Sequence, residues 1–130
     1  MSFEGALASR NAAVNAVTTL CNSGFVEVYS GTRPATPDAA LSGNTLLVTL
    51  TFGATAFGAG ASGVATANAI TSGTAVATNT AAWARVYRSD GSTVVGDCNV
   101  GSSGSDMNFP TLSFVIGELI SCTSLTLTQS

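Results

Sequence analysis

Histidine and lysine are both missing from this 130-residue sequence. Without histidine the commonest general base and the commonest metal ligand are gone. Neither a Ser-His-Asp nor a Cys-His nucleophile can be assembled. Charge of either sign is scarce as well. Only 8% of residues are charged, against roughly 25% in an ordinary globular domain. The four arginines, Arg10, Arg33, Arg85 and Arg88, are scattered, and the net charge is −3. Nucleic-acid binding needs a basic stripe to neutralise phosphates, so no nucleic-acid partner is expected. A weakly charged surface resists association poorly, which predicts a protein that lives in an assembly.

Long apolar runs are also lacking. No segment reaches the ~18–20 continuous apolar residues of a membrane span, so no membrane partner is expected. The opening "MSFEGALASRNAAV" carries Glu4 and no basic stretch before an apolar run, unlike a signal peptide. The sequence therefore predicts a chain made and kept in a cytoplasm. The cysteines are Cys21, Cys98 and Cys122. Their odd number and spacing fit neither a disulfide framework nor a zinc pattern. Three buried, reduced thiols are expected, with a Cys98–Cys122 bridge as the alternative.

What is present points to β structure. Hydrophobic residues make up 45% of the chain, and Thr, Val, Gly and Ser are abundant, the composition of pleated, half-buried strands. The length fits one domain with a real core. Residues 1–24 predict the single helix, with Phe3, Leu7, Val14, Val17 and Cys21 at helical spacing. Ser2 is its expected N-cap, Glu4 its favourable first-turn acid, and Gly24 its left-handed stop. Arg10, Asn11, Asn15 and Thr18 fall on the opposite, polar face. The apolar face needs a partner, either the chain's own sheet or a neighbouring subunit.

Residues 25–130 read as a single β domain. "FVEVYS" alternates Val26 and Val28 against Phe25, Glu27 and Tyr29. "GTRPATPDAALSG" is a surface loop. "NTLLVTLTF" is a strand with Leu46, Val48, Leu50 and Phe52 on one side. The low-complexity run 53–82 predicts short strands near 63–67 and 68–71 followed by a long turn, with a flexible linker as the competing reading. "AAWARVYRSDGSTVVGDCNV" is a hairpin whose Asp-Gly signals a two-residue turn. "FVIGE" is a turn, and "ELISCTSLTLTQ" is the last strand. Seven or eight short strands with no helix between them predict antiparallel pairing. The expected fold is an antiparallel, jelly-roll-like β-sandwich with one N-terminal helix.

Sites for chemistry are hard to find. Asp90, Asp97 and Asp106 lack the ligand ladder of a calcium loop, and their spacing does not define a glycosidase pair. "GAGASG" at 58–63 has no following Lys and no βαβ setting, so it reads as a turn and not as a phosphate loop. Trp83, Arg85 and Tyr87 share a strand face. They suit stacking on a sugar or base, or packing inside the chain or across an interface. Arg85 and Arg88 can each hold an acidic neighbour. No cofactor and no catalytic residue is expected.

The order of segments carries a resemblance. "LASRNAAVNAVTTL" leads into "GFVEVYSGTRPATPDAALSGNTLLVTLTF". Then come "GVATANAITSGTA", "AAWARVYRSDGSTVVGDCNVG", "SDMNF" and "ISCTSLTLT". This series resembles the small virion structural proteins of tailed bacteriophages, most of all their capsid decoration, or cement, proteins. The resemblance implies a non-enzymatic component of the outer capsid surface. It implies a major capsid protein as partner, assembly as a homotrimer and a jelly-roll fold. Candidate contact residues are Phe3, Leu7, Arg10 and Val14 on the helix, Arg33 and Pro34 in the loop, and Trp83 and Arg85 on the hairpin. A tail or baseplate structural protein and a carbohydrate-binding β module on a fibre are the alternatives.

Overall fold

The computed structural model describes residues 6–128. Among them lie one helix, α1 (Leu7–Leu20), and twelve strands. In chain order the strands are β1 (Phe25–Tyr29), β2 (Leu46–Phe52), β3 (Val64–Thr66), β4 (Ile70–Thr71), β5 (Gly73–Thr74) and β6 (Asn79–Thr80). They continue as β7 (Trp83–Tyr87), β8 (Val94–Gly101), β9 (Met107–Asn108), β10 (Ser113–Phe114), β11 (Leu119–Ile120) and β12 (Ser124–Thr128). Eight strands form one curled sheet in the order β3-β12-β9-β8-β7-β1-β2-β4. Two further two-stranded sheets pair β10 with β6 and β11 with β5.

The chain is mainly β, as its composition predicts. β1 and β7 pair from Phe25↔Tyr87 to Tyr29↔Trp83, and β1 pairs on its other side with β2. The predicted alternation holds in β1, where Val26 and Val28 are fully buried. On β2, Val48, Leu50 and Phe52 join them in the core. Leu47 is buried too, because the β1–β2 register shifts beside it at a bulge. A bulge turns the extra residue out of strict alternation.

Several sequence expectations change. The strands are more numerous and shorter than seven or eight, and the "long turn" after residue 71 contains β5 and β6. The run 53–82 is no linker, since Ala56, Phe57, Ala65, Ala75 and Ala81 are all buried in the core. "ELISCTSLTLTQ" is two strands, of which β11 pairs with β5 while β12 lies between β3 and β9. Pairing is antiparallel except between β8 and β9, which run parallel through Val100↔Met107 and Gly101↔Asn108. The chain turns back through residues 102–106. There the Asp106 carboxylate accepts the Asn99 N–H, and Asn108 Oδ1 accepts that of Ser105.

The Asp-Gly hairpin joins β7 to β8, but by a wider turn than two residues. Arg88 N–H donates to the Thr93 carbonyl and Gly91 N–H to the Arg88 carbonyl, both at 2.9 Å, enclosing residues 89–92. Asp90 organises this loop. Its carboxylate accepts the Thr93 hydroxyl and the N–H groups of Thr93 and Ser92. The Thr93 hydroxyl, helped by those N–H groups, lowers the Asp90 pKa from 3.8 to about 2. The fold therefore favours the charged form. Its contribution to hairpin order is complete above about pH 4, the value of an unfolded aspartate, and disappears as pH falls to about 2. An NMR titration of the Asp90 carboxyl is expected to have its midpoint near 2, moving up towards the ordinary value in Thr93→Val. A native midpoint near 4 would contradict this.

Helix α1 starts at Leu7, with Ala6 as an N-cap that makes no side-chain bond. Ser2, Phe3 and Glu4, expected in its first turn, lie outside the described residues. The left-handed position after the helix is Ser23, at φ 57°, and not Gly24. Gly24 is small for another reason: a Cβ there would collide with the Tyr87 carbonyl oxygen. The helix lies on β3 and β12. Its packed side joins Val14 and Cys21 of the expected apolar face to Thr18 and Asn11 of the expected polar one, while Leu7 is exposed. Val14, Thr18 and Cys21 are buried. Beside them Asn11 Oδ1 accepts the Gly63 N–H (2.8 Å), Asn15 Oδ1 that of Gly60 (2.7 Å) and, beyond the helix, Asn22 Oδ1 that of Ala56 (2.9 Å). These amides are side-chain partners for a loop whose backbone would otherwise lack them. In "GAGASG" the Gly60 and Gly63 amides are thus engaged by asparagine and the Gly58 amide by the Thr66 carbonyl, which removes all three as donors to a phosphate.

Candidate functional site

Two regions of the surface carry the candidate residues. The first is the sheet face opposite the core, where Glu27, Arg85 and Asp97 stand in register across β1, β7 and β8. Arg85 grips Asp97 with two bonds, Nε to Oδ1 at 2.7 Å and Nη2 to Oδ2 at 3.0 Å. Its third donor, Nη1, bonds the Ala39 carbonyl at 2.9 Å. The paired carboxylate raises the Arg85 pKa still further, against a smaller opposing effect of burial. The Arg85 guanidinium also lies 5.2 Å from the Trp83 ring centroid, and Trp83 stacks on Tyr29 with centroids 4.9 Å apart. Tyr29 donates its hydroxyl to Glu27 Oε1 at 2.9 Å, and burial pushes its pKa up.

The loop 31–45 covers this face. Besides the Arg85–Ala39 bond, Arg33 Nη1 donates to Asn99 Oδ1 at 2.8 Å. Asn44 Nδ2 donates to the carbonyls of Ser30 and Thr32. Trp83 is 1% exposed and Arg85 is 4% exposed. Their contacts lie within the chain, so neither is available to a sugar, a base or a partner subunit. Arg33 is exposed but engaged, and Pro34 is half-buried. Arg33 reaches the hairpin through Asn99, which pairs with Trp83 across β7 and β8. The helix residues form a separate set. Val14 is buried, Arg10 half-buried and Leu7 50% exposed, while Phe3 lies outside the described residues.

The acids of "DGSTVVGDCNVGSSGSDMNF" serve structure: Asp90 in the hairpin, Asp97 on Arg85 and Asp106 on the Asn99 backbone. No group of three or more His, Cys, Asp or Glu residues is placed to hold a metal among the described residues. The three thiols are free. Burial raises Cys21 to about 11 and Cys98 to about 12, and raises Cys122 as well. All three stay protonated at neutral pH and are poor nucleophiles.

The second region was not singled out from the sequence. Val76, Val115, Ile116 and Leu119 are exposed, Ile116 by 63% and Leu119 by 69%. They belong to two segments that run side by side. Leu119 lies opposite Thr74, and the turn 115–118 is tied to the facing segment by Gly117 N–H to the Ala75 carbonyl and Ile116 N–H to Thr78 Oγ1. Gly117 takes φ 87°, as the third residue of a type II turn requires, which pushes Ile116 to the tip. Beside the turn lies a groove of about 340 Å³, floored by Phe109, Phe114 and Ile120 and edged by Pro110, Glu118 and Leu119. Its sequence signal is a lack of charge. Residues 39–84 carry no charged side chain, and residues 107–130 carry only Glu118.

A comparison with protein-family models, curated proteins and solved structures found no match to this chain.

Proposed function

We propose that this chain is a non-enzymatic structural protein of a tailed-phage virion, a decoration or cement protein on the outer capsid surface. It binds the major capsid protein and stabilises contacts between its subunits. In this proposal it acts as a homo-oligomer, a trimer, and its curled sheet and two small sheets form the layers of a jelly-roll-like sandwich. One observation carries most of the weight. Arg33, Arg85, Glu27, Asp90, Asp97 and Asp106 are all engaged in bonds within the chain. Beyond them the exposed charged residues among the described ones are Asp38, Arg88 and Glu118, and the rest of the surface is neutral with exposed aliphatic side chains. Such a surface binds by burial and hydrogen bonding, not by charge or chemistry. The outward side of α1 fits the same role, with Ala8, Ala12, Ala13, Ala16 and Leu20 exposed.

The energetics suit a cement. A ligand that binds only the assembled shell stabilises it by mass action. Many identical sites on a closed lattice add avidity to contacts that are individually weak. The burial of Trp83 speaks against the carbohydrate-binding alternative, which needs an open aromatic platform. Locating the protein in the particle tests the proposal. Density on the shell at local threefold positions, with hundreds of copies per virion, is the expected result. Density confined to the tail, with a few to several tens of copies, would overturn it in favour of a tail or baseplate protein.

A further inference from the structure

We propose that residues 33–41 form a strap that lifts as a unit from the sheet, uncovering Trp83 and Arg85 while the sheet stays folded. The proposal concerns the isolated chain and does not rest on the capsid reading.

The strap has a firm neck and a lightly held body. No helix or strand lies between Tyr29 and Leu46. Loops beyond roughly 12–15 residues without such structure are usually lids, binding loops or compact loops with tied ends. Here the ends are tied to each other. Ser30 N–H donates to the Thr45 carbonyl at 3.1 Å. Asn44 Nδ2 donates to the Ser30 and Thr32 carbonyls, both at 3.0 Å, and Asn44 Oδ1 accepts the Ser42 N–H at 3.1 Å. Between these ties, residues 33–41 bury no side chain. Pro34, Pro37 and Ala39 are half-buried and the rest are exposed. Among the described residues only two hydrogen bonds join this body to the sheet. Arg33 Nη1 donates to Asn99 Oδ1 at 2.8 Å, and Arg85 Nη1 to the Ala39 carbonyl at 2.9 Å. Asn99 stands opposite Trp83 across β7 and β8, so the two anchors flank the indole. A segment with so little apolar burial opens at far lower free energy than the sheet beneath it.

The covered face favours opening as well. Trp83 is buried, and its Nε1–H has no hydrogen-bond partner. Closure leaves this donor unsatisfied, and lifting the strap lets water reach it. Arg33, Asn99 and the Ala39 carbonyl exchange their bonds for bonds to water. Arg85 keeps both bonds to Asp97, so the open form strands no charge. Closure is favoured by the apolar cover over the Trp83–Tyr29 stack. The closed form therefore predominates, with the open form as a minor state. Arg33 and Pro34, both candidate contact residues, ride on the moving body. A partner that grips them meets a segment that moves without unfolding the core.

Native-state hydrogen exchange tests this. The chain has one tryptophan, so its indole N–H gives a single NMR signal. After correction for intrinsic rates, that proton is expected to exchange on the order of a hundredfold faster than the slowest amides of β1 and β7. Its rate is expected to depend little on added urea, because lifting the strap exposes little surface. Asn99→Ala removes one anchor at an exposed position and is expected to speed indole exchange about fivefold, the weight of one hydrogen bond. Arg33→Ala is expected to do the same, and the double variant no more than either, since both lose one shared contact. Ile120→Val, in the core on β11, is expected to speed the slowest amides and leave the indole unchanged. Indole exchange that keeps pace with the slowest amides, at the same urea dependence, overturns the proposal. So does indole exchange that ignores Asn99→Ala and Arg33→Ala, or that follows Ile120→Val.

Discussion

Replacing Asp97 by alanine is expected to cost this protein about 3–5 kcal/mol of folding stability, the usual effect of stranding one partner of a buried ion pair. The reason is geometric. The Asp97 side chain is fully enclosed, and it takes two of the three bonds that Arg85 makes. Without it the guanidinium stays trapped between Trp83 and the loop 31–45, with its charge uncompensated. Against a total stability of about 5–15 kcal/mol for a typical domain, Asp97→Ala is expected to be marginal or unfolded at room temperature. Urea unfolding at neutral pH measures the loss. A second arm separates the worth of the pair from the penalty of breaking it. The double variant Arg85→Met with Asp97→Leu removes both charges and is expected to recover most of the stability. A loss below about 1 kcal/mol in Asp97→Ala would show that water reaches the arginine after all.

Trp83→Ala is expected to cost a similar amount, about 3–5 kcal/mol, through a different mechanism. Trp83 is the largest of the fully buried side chains. Its removal leaves a cavity under the loop and abolishes the stack on Tyr29 and the contact with Arg85. Trp83→Phe keeps a ring for Tyr29. It also discards an indole Nε1–H that is buried without a hydrogen-bond partner. That donor contributes a desolvation cost, so Trp83→Phe is expected to lose well under half of what Trp83→Ala loses. Thermal melting of the two variants decides it, and equal losses would refute the assignment of the stack. One practical point follows. Lost ligand binding in Trp83→Ala would report a damaged fold and not an open binding platform.

The parts of the fold that were legible are those where burial writes a period. β1 and the second half of β2 alternate well enough for their faces to be read directly, whereas β7 is buried on both faces. β5 and β6 were missed because two-residue strands of Gly, Thr and Asn show no alternation at all. The helix is legible, with Val14 and Cys21 of its apolar face in the core, but the packed side extends further onto the polar residues than spacing predicts. Asn11 and Asn15 look like purely solvent-facing residues, yet from the half-buried and exposed flank of the helix their amide oxygens accept backbone N–H groups of the 58–63 loop. Polarity alone does not distinguish an amide that meets water from one that meets a loop. The same limit explains Trp83 and Arg85. Period two places them on one face, but only the tertiary path of residues 31–45 reveals that the face is covered. The tip at Ile116 was visible as a turn. Its link to the groove was not, because Phe109 and Phe114 reach it through pairings that no local pattern encodes.

The position of β12 has a consequence for how the molecule is made. This strand follows both its partners in the chain, yet it sits inside the sheet between β3 and β9. Its partner Thr66 is sixty residues before Thr126. Contacts of such long separation form late, because the loop entropy must be lost before they stabilise anything. Until β12 arrives, β3 and β9 each present an open strand edge, and the pocket for Leu125 stands empty. Open edges recruit other chains. A chain lacking Ser124–Thr128 is thus an aggregation hazard, and docking of these five strand residues is what closes that window.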